Sequence, residues 1–313
     1  PRPPQANPMT IATVTLNPCI DKTVSVEQML PDCKLACTNI HAYPGGGGIN
    51  VARVIRRLGA PVCAYWSCGG ENGYRLAQFL EQEQVPHQPI PIEDCVRENL
   101  IVREETSGNL FRFGMPGPLL RTGEREQWRQ CITQLPSSVD YLVFSGSLPA
   151  GTPPEWYREL LCAVPDGIPV IVDTKQEALR QALEVGVYLI KPNVHEMEEL
   201  VGRTLSDNCA MEQAAREIID RGGAEVVILS LGRAGVLLAS KDGTERIPAP
   251  SVHLRSKVGA GDAVVGGLLT ALSQGKSLAD AARFGVAAGA AAVMTEGTEL
   301  CRKEDAEQLF KDM

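Results

Sequence analysis

Val258-Gly259-Ala260-Gly261-Asp262-Ala263 is a glycine-rich turn that delivers one carboxylate to the mouth of an apolar helix. Glycine permits positive φ and lets backbone approach a ligand closely. The unbonded N–H groups of a helix start attract anions. A carboxylate beside such an anion hole can take a proton from a hydroxyl while the amides hold the negative charge of a phosphoryl group. The pattern suits phosphoryl transfer to an alcohol, with Asp262 as base and Gly259, Ala260 and Gly261 as the amide hole. Its plainer reading is an acidic helix cap.

Three further constellations carry polar chemistry. Gly45-Gly46-Gly47-Gly48 runs straight into Ile49-Asn50 and an amphipathic helix, which suits backbone approach to a polar ligand with Asn50 as donor and acceptor. It matches neither the Walker nor the dinucleotide pattern; a structural linker is the alternative. Lys191-Pro192-Asn193-Val194-His195-Glu196 ends an apolar run, and Asn193 and Glu196, three apart, share a face if a helix starts there. Both offer oxygen to Mg²⁺ and its waters, or simply cap the helix. Ser230-Leu231-Gly232-Arg233-Ala234-Gly235 follows another apolar strand, either as a backbone surface for a nucleotide or as a hairpin turn.

The elements that position these residues alternate. Short strands are expected at 11–16, 62–66, 141–144, 170–173, 188–191 and 226–231, and helices at 49–59, 74–83, 155–162, 177–184 and 211–220. Such alternation implies a largely parallel sheet covered on both faces, with ligands gathering at the carboxyl ends of the strands. Ser277-Leu278-Ala279-Asp280 resembles a capping box opening an Ala-rich helix through Val293. Polar, β-rich stretches at 22–42 and 97–115, the second with a hairpin around Ser107-Gly108, can pair as a small second sheet away from the core.

The chain has 313 residues, 44% hydrophobic and 22% charged, with a formal net charge of −8. The acidic balance argues against nucleic-acid binding. No apolar run reaches membrane-spanning length. Ten scattered cysteines form no zinc pattern and read as reduced thiols of a cytoplasmic protein. Pro1 to Pro8 read as a leader or cloning remnant ahead of a domain over 9–313.

Taken as a set and in this order, Thr15-Leu16-Asn17-Pro18 with Asp21, Gly45 to Arg53, Ser145-Gly146-Ser147-Leu148-Pro149, Lys191 to Glu196, Ser230 to Gly235 and Val258 to Asp262 resemble the ribokinase-like sugar kinases, in their phosphofructokinase B branch. The resemblance covers nearly the whole chain. It implies an α/β three-layer sandwich with a mostly parallel central sheet and a small β-sheet lid over the sugar. It also implies ATP and Mg²⁺ as cofactors. Asp21, Gly46, Gly47 and Asn50 would hold sugar hydroxyls. Lys191, Asn193, Ser230, Gly232 and Gly235 would meet ATP, and Asn193 and Glu196 would organise Mg²⁺ through water. A potassium loop would involve Ser256, Val258, Ala292 and Gly297, and lid strands would pair two copies into a homodimer.

The acceptor is narrowed by detail. Relatives acting on fructose 1-phosphate or tagatose 6-phosphate commonly carry Gly-Gly-Lys-Gly where this chain has Gly45-Gly46-Gly47-Gly48. The lead-in Arg255-Ser256-Lys257-Val258 differs from that of ribose and nucleoside kinases. With Arg97-Glu98-Asn99-Leu100 and Arg112-Phe113-Gly114, the chain is most similar to minor-type 6-phosphofructokinases, where Lys34, Arg97 and Ser147 would meet the sugar and its phosphate. Ala36 stands where that group has a second lid arginine. The implied reaction is ATP-dependent phosphorylation of fructose 6-phosphate at its 1-hydroxyl, a glycolytic step. Tagatose 6-phosphate or fructose 1-phosphate kinases are the alternatives, and a catalytically silent sugar-phosphate or nucleotide-binding regulator is the non-enzyme one.

Overall fold

The computed structural model describes residues 10–313, so the Pro-rich start lies outside the described residues. The chain opens with β1 (Thr10–Thr15), β2 (Cys19–Val26), β3 (Thr38–Gly45), α1 (Gly47–Leu58), β4 (Val62–Cys68), α2 (Gly70–Gln82), β5 (His87–Pro91), β6 (Arg97–Glu104) and β7 (Leu110–Phe113). It continues through α3 (Thr122–Thr133), β8 (Val139–Ser145), α4 (Pro154–Cys162), β9 (Val170–Asp173), α5 (Gln176–Val185), β10 (Val187–Ile190), α6 (Val194–Val201), α7 (Asn208–Asp220) and β11 (Ala224–Ser230). After one 3₁₀ turn come β12 (Val236–Ser240), β13 (Gly243–Ile247), α8 (Ala260–Ser273), α9 (Leu278–Val293) and α10 (Lys303–Asp312).

Nine strands form the main sheet in the order β13-β12-β11-β10-β9-β8-β1-β4-β5. From β11 to β5 neighbours run parallel, and β12 and β13 add an antiparallel edge. Side chains alternate across a strand. Along β1 that sends Ile11 to a core shared with α1, α8 and α9, and Ala12 and Val14 to a second core under α3, α4, α5 and α7. Two cores on opposite faces of one sheet make the expected three layers. Small residues let α8 and α9 press together: a Cβ on Gly267 would lie 2.7 Å from the Ala288 Cβ.

The second sheet runs β3-β2-β6-β7 and contains the expected hairpin, with Leu100 opposite Phe113. Its strands reach beyond the expected lid, back to Cys19 and on to Gly45, while residues 27–37 are not strand. That stretch has its own task. Val24, Val26 and Val102 form a third small core of their own, and Met29 and Leu35 pack against it. Pro44 is tolerated because β3 is an edge strand.

β5, β13, α3 and α10 are not among the elements expected from sequence. β5 holds two prolines in five residues, which masks a strand but suits a sheet edge. α3 buries only Trp128 and Ile132, and α10 only Ala306, so neither writes a broad apolar stripe. All ten cysteines are unbridged. Among the described residues no helix is long and apolar enough to cross a membrane.

Candidate active site

The N-terminus of α8 faces a cavity of about 410 Å³ between the main sheet and the lid. Gly259 caps the helix with φ of 76°, a left-handed conformation that glycine adopts without a side-chain clash. The turn therefore sets Asp262 in the first turn, with the adjacent amides pointing the same way. Asp262, Gly259 and Val258 all line the cavity. The Asp262 carboxylate opens onto the cavity but is otherwise packed in protein. Asn50 Nδ2 donates to its Oδ2 at 2.9 Å.

Strand register supplies the cation. β9 and β10 are parallel neighbours with Val172 beside Ile190, so Asp173 and Lys191 emerge side by side at their carboxyl ends. Lys191 Nζ lies 3.2 Å from Asp173 Oδ1, and a Cβ on Gly261 would sit 3.1 Å from that same ammonium. Lys191 thus lies over the anion hole. Burial works against its charge, yet Asp173 and then Asp262 hold its pKa above the usual lysine value. Asp262 itself is pushed up to about 7, by burial first and the Asp173 charge second, against the Asn50 hydrogen bond and Lys191. A carboxylate with a pKa near neutrality is matched to general-base work.

The lid closes the other side. Cys19 and Asp21 on β2 and Arg97 and Asn99 on β6 alternate onto one face and line the cavity, joined by Arg112 of β7. Asn99 Nδ2 donates to Asp21 Oδ1 at 3.0 Å, and the Cys19 thiol donates to the same oxygen at 3.3 Å. Burial and the Asp21 charge raise the Cys19 pKa well above its ordinary value, so it stays a thiol. Arg97 is braced by backbone: Nη1 donates to Met115 O at 3.2 Å and Nη2 to Asn17 O at 3.4 Å. Gly46, Gly47, Asn50 and Ser147 line the floor, and Asn17 Nδ2 donates to Ser147 Oγ at 3.1 Å.

Asn193 and Glu196 form a reciprocal cap on α6: Asn193 Oδ1 accepts from Glu196 N and Glu196 Oε2 from Asn193 N, each at 2.9 Å. The plainer reading of that pair is therefore realised, and Glu196 also lines the cavity. An isolated parallel bridge joins Asn193 to Ser230 at the carboxyl end of the sheet. Lys191, Asn193, Ser230, Gly232, Gly235, Ala260 and Gly261 are not among the cavity-lining residues; Lys191 and Gly261 lie behind Asp173 and Asp262. Gly232 and Gly235 make the turn from β11 into antiparallel β12, as the hairpin reading has it.

Lys34 stands exposed in the stretch between β2 and β3 and does not line the cavity of its own chain. Of the potassium-loop residues, Ser256, Val258 and Gly297 are linked: Ser256 Oγ donates to Gly297 O at 2.9 Å and accepts from Val258 N at 3.2 Å. The Ala292 carbonyl accepts from Thr295 Oγ1 at 2.9 Å.

Sequence reasoning missed Asn99, Arg112 and Asp173 as site residues. Asn99 had a signal, since it follows Arg97 by two on one strand. Asp173 ends an apolar strand, which is where ligands gather. Arg112 needed the pairing that sets it opposite Ile101.

A sequence model of the family described as "pfkB family carbohydrate kinase" matches residues 14–305. ATP-dependent 6-phosphofructokinase isozyme 2 of Escherichia coli (strain K12) is 40% identical over 302 residues, 96% of this chain and 97% of that one. The crystal structure of phosphofructokinase-2 from Escherichia coli in complex with potassium superposes with a TM-score of 0.93 at 40% identity, covering 97% of this chain and 99% of that one. The structure of the same protein in complex with fructose-6-phosphate gives a TM-score of 0.92 at 38% identity, again covering 97% and 99%.

Proposed function

This chain belongs to the pfkB family of carbohydrate kinases, and we propose that it transfers the terminal phosphoryl group of ATP to the 1-hydroxyl of fructose 6-phosphate, giving fructose 1,6-bisphosphate. The observation that carries this reading is the placement of Asp262: a carboxylate of near-neutral pKa at a helix N-terminus, beside Lys191, across a cavity from two lid arginines. Asp262 takes the proton of the attacking hydroxyl. The amides of Gly259, Ala260 and Gly261 and the Lys191 ammonium neutralise charge on the transferred group. Asp21, Asn50 and the glycine floor orient the sugar. Phosphoryl transfer asks mainly for such positioning and charge neutralisation.

Arg97 and Arg112 suit the resting 6-phosphate as charge-assisted donors. Mg²⁺ would neutralise the ATP phosphates. Among the described residues no three His, Cys, Asp or Glu side chains converge to cage an ion. That fits a metal held mainly by phosphates and water, with Glu196 beside it and Asn193 capping the same turn. Ser230, Gly232 and Gly235 are assigned to the nucleotide side. A monovalent cation is assigned to the loop of Ser256, Val258, Ala292 and Gly297, in line with the potassium complex of the Escherichia coli protein. Residues 9–313 are assigned to one kinase domain with its lid, working in the cytoplasm.

The lid is also the proposed dimer surface. Its strands expose Ile40, Leu110, Phe111 and Phe113, with Met115 just beyond, and β3 and β7 are open sheet edges. Lys34 joins the sugar phosphate in that paired state. Lys34→Ala is expected to raise the KM for fructose 6-phosphate about tenfold, as for a lost charge-assisted bond, and to leave the ATP KM unchanged. A fall in ATP affinity instead refutes the placing of Lys34.

The decisive experiment is a coupled ADP-release assay across fructose 6-phosphate, fructose 1-phosphate, tagatose 6-phosphate, ribose and adenosine. The highest kcat/KM is expected with fructose 6-phosphate. Preference for another sugar phosphate replaces the substrate assignment, and binding without ADP release makes the chain a regulator.

A further inference from the structure

Asn50 touches the base, but its amide can turn its oxygen to Asp262 whenever that carboxyl is protonated. What decides the end is one turn further along α1. Arg53 is 0% exposed, and all three of its guanidinium nitrogens donate hydrogen bonds. Nε and Nη2 grip both oxygens of Glu83, the C-terminal cap of α2, at 2.7 to 3.1 Å. Nη1 donates to Pro44 O and Thr298 O, each at 3.0 Å, and to Asn50 Oδ1 at 3.3 Å.

Burying a guanidinium is costly even when paired, and an apolar residue of similar volume would serve packing at less cost. The arrangement does something packing cannot. Arginine has donors only. Beside Nη1 the Asn50 amide must present its oxygen, which leaves Nδ2 for Asp262 Oδ2 at 2.9 Å. The reverse orientation would set the amide oxygen against a carboxylate. We propose that Arg53, held by Glu83, is a positioning residue for the base: it fixes the Asn50 amide so that its N–H donates to Asp262 and leaves the other carboxylate oxygen free for the substrate hydroxyl.

The groups facing Asp262 are Asn50 from α1, Asp173 from β9, Lys191 after β10 and Asp21 from β2. Those facing Arg53 are Glu83 at the end of α2, Arg57 on α1 and Asp21. Of these, only Asn50 links the two sets through hydrogen bonds. Because Asn50 favours the ionised carboxylate, loosening it moves the titration of Asp262 upward.

The inference rests on Asp262 being the base, and the experiment separates the two. Arg53→Met, Asn50→Ala and the double variant are compared in the full chain, as kcat and kcat/KM against pH with MgATP and fructose 6-phosphate. Arg53→Met should lower kcat by about 10- to 50-fold, as for loss of an orienting partner, and move the acidic limb to higher pH. Added to Asn50→Ala, it should cost less than about twofold more, since both act on one contact. Multiplying effects, or a limb that stays in place, overturn the role. If Arg53→Met does not fold, Glu83→Gln decides: it keeps shape but weakens the grip, so the limb should move the same way with an about threefold loss. An unmoved limb in that variant likewise overturns the proposal. Should Asp262→Asn retain turnover, the base assignment itself fails. Should Asp262→Asn be inactive while the Arg53 and Glu83 variants keep the parent limb, only the positioning role fails.

Discussion

Asp262→Asn is expected to bind ATP and fructose 6-phosphate within about threefold of the parent and to lose turnover by about 10³-fold or more, the scale of removing a positioned general base. Titration calorimetry and single-turnover measurements check the two halves separately. Near-normal turnover would remove the base from the mechanism. The same side chain sets the pH profile. Only ionised Asp262 accepts a proton, so kcat/KM should rise with pH and level off above its pKa of about 7. Stability runs the other way. A carboxylate whose folded pKa is raised binds its proton more tightly folded than unfolded. Its favourable contribution is present at low pH and is lost between the ordinary carboxylate range and about 7. Asp262→Asn should therefore melt higher than the parent above pH 7, with the gap closing toward pH 4. A gap that is constant with pH would contradict the assigned titration.

Lys191→Met should have the second-largest effect. It removes the ammonium between Asp173 and Asp262 and leaves two carboxylates facing each other. Breaking a buried pair by removing one partner costs about 3–5 kcal/mol, which a urea denaturation curve at pH 8 can register. Two adjacent carboxylates resist joint ionisation, so the acidic limb of kcat/KM should move above its parent position. Turnover should fall by about 10²-fold, as expected when one charge-stabilising donor is lost. A stable variant with an unmoved limb would mean that Lys191 neither pairs with Asp173 in solution nor senses the base.

The chemistry-bearing turns were readable because they are local. Gly259 to Asp262 needs only a left-handed cap and a helix to aim its carboxylate, and both are written in consecutive residues. The alternation of strands and helices was likewise legible, because each apolar run is short and bounded. What escaped depends on pairs distant in the chain. Asp173 matters through Lys191, which strand register sets beside it. Arg53 reads as one more charge on an amphipathic helix until Glu83, Pro44 and Thr298 close around it. The lid was located but not its limits, since 27–37 carries the apolar residues that cover one lid face and so mimics strand composition. The turn at Gly232 and Gly235 joins β11 to β12, a role that leaves its backbone available to a ligand as well.

The glycine run beneath the cavity leaves almost no space for side chains. A Cβ on Gly47 would lie 2.7 Å from Gly146 N, and one on Gly48 would lie 2.6 Å from Val14 O. Backbone cannot yield as a flexible side chain can. Any side chain at Gly47 must therefore come with a shift of that backbone, whereas Arg97, Asn99 and Arg112 on the opposite wall hang from short strands and can be exchanged without one. Diversification of this scaffold should accordingly come in small steps in its cover, and in coupled steps of residue and backbone in the hearth beneath.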